Sequence, residues 1–209
     1  ILRGRDFTSH YRREVAGWPK RSPIEGVESI KAGKRHWHGA ADFITFIRDE
    51  LMVMVEHGYA ALADERAYAG HSLGGGLGLH TLFSHPGVFN RYLLASPSIA
   101  YEGDEYGIRE AQEFIASGKR LDAQVIMTVG ELEEFDSAAA VARPQFVSSF
   151  YRLGALLQRA RIPGLDLTCR VYPGETHASV WPIAFTHGIQ ALYGPAEHPP
   201  MADGSLDDF

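Results

Sequence analysis

The sequence predicts an α/β fold, a mostly parallel sheet with helices on both faces, and three observations lead to it. Strand-length apolar stretches alternate with helix-length amphipathic ones from residue 41 to residue 194. That alternation marks βα units, whose crossovers cover both faces of a parallel sheet. One stretch, AQVIMTVG (123–130), is apolar enough to read as a buried strand, and a serine bracketed by glycines, GHSLG (70–74), stands where a strand gives way to a helix.

Residues 1–40 show no sustained periodicity and carry Gly, Pro and Ser punctuation (GWPKRSPIEG), so they read as a long loop or cap. In ADFITFIRDELMVMVEHGY (41–59), Phe43, Ile47, Leu51 and Met54 share one helical face, and Gly58 is a natural stop. RAYAG (66–70) is a short strand. The helix after the serine turn ends at SHPG (84–87), where Pro86 and Gly87 break it. RYLLASPS (91–98) follows as a strand, GIREAQEFIASG (107–118) as a helix and AQVIMTVG as a strand. RPQFVSSFYRLGALLQRARI (143–162) is a long amphipathic helix beginning near Pro144, and LDLTCRVYP (165–173) is the last strand. SVWPIAFTHGIQALYG (179–194) closes the fold as a helix, started or kinked at Pro182, and 195–209 is a polar tail expected to fray. The expectation is one domain with its core over 41–194 and no internal repeat.

Composition narrows the function classes. The net charge of −6 is uneven: residues 1–40 hold nine Lys/Arg against four acids, and the remainder holds eleven against twenty-two. An acidic body is a poor nucleic-acid binder, because phosphate contacts need an extended basic surface. No apolar run approaches the ~18 residues of a membrane span. A single cysteine, Cys169, excludes an intrachain disulfide framework. The expected compartment is the cytoplasm, and a disulfide-free periplasmic protein has the same composition. The chain opens on Ile1 and runs straight into LRGRDFTSH, so the first part of the fold is expected to lie upstream.

Five glycines fall within GHSLGGGLG (70–78), although glycine costs about 1 kcal/mol per residue in a helix interior. Gly70-His71-Ser72-Leu73-Gly74 fits G-x-S-x-G, in which the serine occupies a strained strand-to-helix turn and the flanking glycines avoid collision. No Lys-Ser/Thr follows, so it is not a P-loop, and the spacing is not G-x-G-x-x-G. Gly75 suits a close approach of the helix to the sheet. Gly76 and Gly78 have no evident catalytic reason.

A serine nucleophile needs a base, and the base needs an orienting carboxylate. His177 follows the last strand in VYPGETH, where such a base belongs in the order Ser, acid, His. His187, inside the closing helix, and His198, in the tail, read as packing or surface residues. His36 and His38 in RHWHG lack a third ligand at helical spacing, so no metal site is expected. For the acid, VIMTVG runs into Glu131-Leu132-Glu133-Glu134. A Gly-x-x-acid offset from Gly130 favours Glu133, with Glu131 second; Glu134 and Asp136 read as solvated charges. The Leu73 N–H, at the helix start, is the expected oxyanion donor.

Six ordered stretches, RGRDFT (3–8), FITFIRDEL (43–51), GHSLGG (70–75), SPS (96–98), VGELEE (129–134) and YPGETHASV (172–180), together resemble the bacterial putative-esterase family of the α/β-hydrolase superfamily. The likeness covers most of residues 3–193 and is nearest to the branch of trilactone siderophore esterases. It implies the α/β-hydrolase fold, a small-molecule ester substrate, no cofactor, Ser72 as nucleophile, His177 as base and a glutamate of GELEE as the acid. If the substrate is such a siderophore, Lys31, Lys34 and Arg35 beside Trp37 suit its anionic aromatic rings through charge and cation–π contact. The segment after SPS should lie at the site mouth, which makes Ile99 and Tyr101 candidate substrate contacts. The chain departs from the family pattern in three places. His38-Gly39 replaces paired glycines, Ile99-Ala100-Tyr101 replaces tryptophans, and the loop that usually gives a second oxyanion donor is expected upstream of Ile1 or absent.

Overall fold

Four strands, β1 (Ala67–His71), β2 (Arg91–Ala95), β3 (Ala123–Gly130) and β4 (Leu165–Tyr172), pair in chain order, and every pair is parallel. The computed structural model describes residues 39–100, 104–135 and 145–194. Parallel neighbours require crossovers, and helices provide them: α3 (Leu73–Ser84) between β1 and β2, α4 (Tyr106–Ala116) between β2 and β3, and α5 (Phe146–Ala160) between β3 and β4. Ahead of β1 lie α1 (Ala40–Phe46), a π-helical turn (Ile47–Leu51) and α2 (Met52–Gly58), and α6 (Val180–Tyr193) closes the order. This is the α/β architecture the sequence predicts.

Alternate residues of the inner strands point to opposite faces, so each strand feeds two cores. Leu94, Val125, Met127 and Val129 join α3, α4 and α5 in the large core, which also takes Ile44 of α1. Leu93 and Ile126 face the other way with Leu192, and Ala95 and Tyr172 do so with Val180 and Ala184. Among the described residues, α6 is therefore the helix that covers the second face.

Two predicted elements differ in detail. β2 ends at Ala95 rather than at residue 98, because Ser96 turns the chain with φ 43° and leaves the ladder. The helix over 41–59 does not keep its apolar face inward. Ile44 is buried and Phe43 and Ile47 pack against the core, but Leu51 is 37% and Met54 62% exposed. The π-helical turn adds a residue and rotates everything after it out of phase. Beyond it, an open groove of about 670 Å³ separates α2 from β1, lined by Ile47, Leu51, Val55, Tyr68 and Phe89. The outer edge of β1 pairs with no other strand among the described residues.

All four strands run the same way, so their C-terminal ends share one edge of the sheet. Ser72 follows β1, Ser96 follows β2, Glu131–Glu134 follow β3 and His177 follows β4. The crevice beyond strand C-termini is where open α/β sheets place their sites.

Candidate active site

Ser72 sits between β1 and α3 with φ 61° and ψ −121°. A non-glycine residue there costs on the order of 1–3 kcal/mol and persists only where its surroundings hold it. Here its N–H donates to the Ala95 carbonyl at 3.1 Å, and its carbonyl accepts from the Ser98 and Gly76 N–H groups, each at 3.0 Å. A Cβ on Gly70 would stand 2.5 Å from the Gly74 carbonyl oxygen, so glycine at that position is a steric requirement.

Gly74 proves different. A Cβ there would meet only the Tyr68 hydroxyl, at 4.0 Å, so the collision expected from the motif is absent. The glycines left without a reason now have one. A Cβ on Gly76 would lie 2.8 Å from the Ser98 carbonyl oxygen, and one on Gly78 would lie 2.4 Å from Leu94 Cδ2 and 2.6 Å from the Tyr68 ring. Gly75 would meet Pro97 Cα at 2.8 Å. Three glycines of α3 thus let the helix press onto β2 and the turn after it. Leu73 opens that helix, so its N–H belongs to the first-turn donors that have no intrahelical partner.

Across the sheet edge, the His177 Nδ1 lies 2.6 Å from Glu133 Oε2. The Glu133 side chain is completely buried. Its other oxygen, Oε1, accepts from the Ser96 hydroxyl at 2.5 Å and the Gly130 N–H at 2.6 Å. Three donors converge on one carboxylate, which satisfies its acceptor capacity away from water. A carboxylate accepts only, so the bond to His177 is an Nδ1–H donation and leaves Nε2 as the basic nitrogen. The Gly-x-x-acid spacing has a physical cause: Gly130 supplies an N–H to Glu133, and a Cβ there would stand 2.5 Å from the Glu175 carbonyl oxygen in the loop that carries His177.

The other acids do other work. Glu131 accepts from the Gly174 N–H at 2.9 Å in an exposed position and makes no bond to His177. Glu134 is not a solvated charge: its two oxygens accept from the Ser148 N–H at 3.1 Å and hydroxyl at 2.7 Å, at the start of α5. Aromatic rings complete the surroundings of His177. Phe146 stacks on the imidazole with centroids 4.2 Å apart, and His71, the residue before Ser72, lies 4.5 Å from it. Trp181 rests against His71 at 5.7 Å. His187 packs beside Tyr172, within 3.2 Å of its hydroxyl.

Ile99, expected at the site mouth, is placed in the interior instead. It is fully buried in the large core, its carbonyl accepting from the Gly107 N–H. Its apolar bulk fills space under α4, which the bare sequence neighbourhood of SPS did not reveal. Arg35, Trp37, Tyr101, Lys31, Lys34, His36, His38, Asp136 and His198 lie outside the described residues. Ser96, Phe146 and His71 were missed by sequence reasoning. The SPS stretch was a signal for Ser96, but nothing in the chain near Phe146 points to a histidine 31 positions away.

The family described as "Putative esterase" matches residues 17–192, which is most of the chain. The chain belongs to that family. Among curated relatives, this family member is 39% identical to a siderophore enterobactin esterase of Emericella nidulans, over 81% of this chain and 61% of that protein. It is 27% identical to the ferri-bacillibactin esterase BesA of Bacillus subtilis, over 78% of this chain and 56% of that one. The solved siderophore hydrolase EstA from Aspergillus nidulans superimposes with a TM-score of 0.72 at 27% identity, covering 91% of this chain and 65% of EstA. This esterase-family chain therefore spans somewhat under two thirds of the length of the proteins it matches. No described helix is long and apolar enough to cross a membrane.

Proposed function

We propose that this chain carries the catalytic centre of a serine esterase, with Ser72 as nucleophile, His177 as general base and Glu133 as the acid that orients it. The observation that carries the reading is the bond between His177 Nδ1 and the buried Glu133 carboxylate, with the strained Ser72 next in the chain to His71, whose ring lies 4.5 Å from that of His177. His177 Nε2 takes the proton of Ser72 Oγ as that oxygen attacks the ester carbonyl carbon. The tetrahedral oxyanion is stabilised by the Leu73 N–H at the positive end of α3. Collapse expels the alcohol, which leaves with the proton from His177. Water then attacks the acyl-enzyme, giving its proton to His177, and the acid departs as Ser72 recovers its proton.

The substrate is a siderophore ester, on the strength of the activities in the names of the relatives. The test is direct. A fluorophosphonate probe should label the chain at Ser72, and Ser72→Ala and His177→Ala should each abolish labelling. A substrate panel of aryl acetates, acyl-CoA thioesters and trilactone siderophores should show siderophore hydrolysis at the highest kcat/KM. Labelling that survives Ser72→Ala would overturn the nucleophile assignment, and preference for the thioesters would overturn the substrate.

A further inference from the structure

Two neighbouring acids reach the same histidine by different routes. Glu133 bonds its edge directly. Glu134 bonds both the N–H and the hydroxyl of Ser148, tying the loop after β3 to the first turn of α5. That turn begins with Phe146, 3% exposed, whose ring lies on the His177 imidazole at 4.2 Å with 26° between planes. The geometry is a near-parallel stack, well inside the ~6 Å over which an aromatic face attracts a cation. The titratable groups against His177 are Glu133, bonded to Nδ1, and His71, whose ring centroid is 4.5 Å away.

We propose that Phe146 is a positioning residue for His177: its face fixes the orientation of the imidazole against Glu133 and stabilises the positive charge the ring gains in the transition state. This rests on the reading of His177 as the base. The imidazole is neutral before Ser72 gives up its proton and positive afterwards. A π face that attracts cations therefore acts more strongly on the transition state than on the resting site, which is the condition for raising kcat. A carboxylate alone leaves the ring free to tilt about the Nδ1–Oε2 line, and the Phe146 face removes that freedom. Glu134 serves the same end one step back, by holding the turn that holds Phe146.

The experiment substitutes Phe146 in the full chain by phenylalanine bearing one, two or three ring fluorines, which drain charge from the π face with little change of shape. kcat and KM for an aryl acetate are followed separately, together with the melting temperature. kcat should fall stepwise, by about ten-fold over the series, with KM and the melting temperature unchanged. A flat kcat across three variants that melt like the parent overturns the proposal. A second arm uses Glu134→Gln, which should lower kcat/KM in the parent and add nothing in a Phe146→Leu background. Full additivity there overturns the link through Ser148. Failure of the base reading looks different: His177→Ala would retain Ser72 labelling, whatever the fluorine series does.

Discussion

Glu131, Glu133 and Glu134 bear the same functional group within four positions, and their surroundings separate them. Glu133 is enclosed by three donors, Glu134 braces α5, and Glu131 holds the Gly174 turn at the surface. Glu133→Gln should cut kcat on an aryl acetate by roughly 10²–10⁴-fold, while Glu131→Gln stays within about two-fold, since only the first disturbs the tautomer of His177. Equal losses in the two variants would reverse the assignment. Ser96→Ala leaves Oε1 with one donor. Removing a hydrogen bond to a charged group typically costs about 1.5–3 kcal/mol, so the variant should unfold at lower denaturant and turn over more slowly at unchanged KM. Away from the site, burial pushes the Cys169 thiol up to about 11. A raised thiol means less thiolate at pH 8, so native protein should react with a disulfide reagent roughly a hundred-fold more slowly than unfolded protein. By the same sign, the stability tied to this group is complete below about 9 and lost as pH climbs toward about 11.

At the scale of elements, α3 is a helix built against its own propensity so that it can lie close to β2. The glycine pattern makes the claim testable residue by residue. Gly75→Ala and Gly76→Ala push a methyl group into backbone, at Pro97 Cα and the Ser98 carbonyl, and each should destabilise by about 1–3 kcal/mol in thermal or denaturant melts. Gly74→Ala meets only the Tyr68 hydroxyl, at ordinary contact distance, so it should be neutral or gain up to about 1 kcal/mol. If all three alanines behave alike, close approach is not the reason for the glycines. The serine turn, the order of elements and the place of a carboxylate three residues past Gly130 were legible in the sequence because each depends on neighbours in the chain. The purpose of Gly76 and Gly78, the brace at Glu134 and the stack of Phe146 were not, because each depends on an atom from another element. The phase of the first helix was misread for a local reason: a single π-helical turn undoes a 3.6-residue count, and nothing in IRDEL announces it.

For the molecule as a whole, protection should follow the sheet. β2 and β3 are paired on both sides and buried on both faces, while the outer edge of β1 has no partner strand among the described residues. Amides of β2 and β3 should therefore be the last to exchange with deuterium, and the outward-facing amides of β1 should exchange well before them. Equal protection across β1 would mean that its edge is covered. The turn at Ser96 has a wider consequence. Within three residues it donates to Glu133 through the Ser96 hydroxyl, to the Thr128 carbonyl through the Ser96 N–H, and to the Ser72 carbonyl through the Ser98 N–H. Ser72 and Glu133 are thus both held from one short bracket, Ser96 to Ser98. A shift of that bracket would move both residues at once, so their relative placement depends on it.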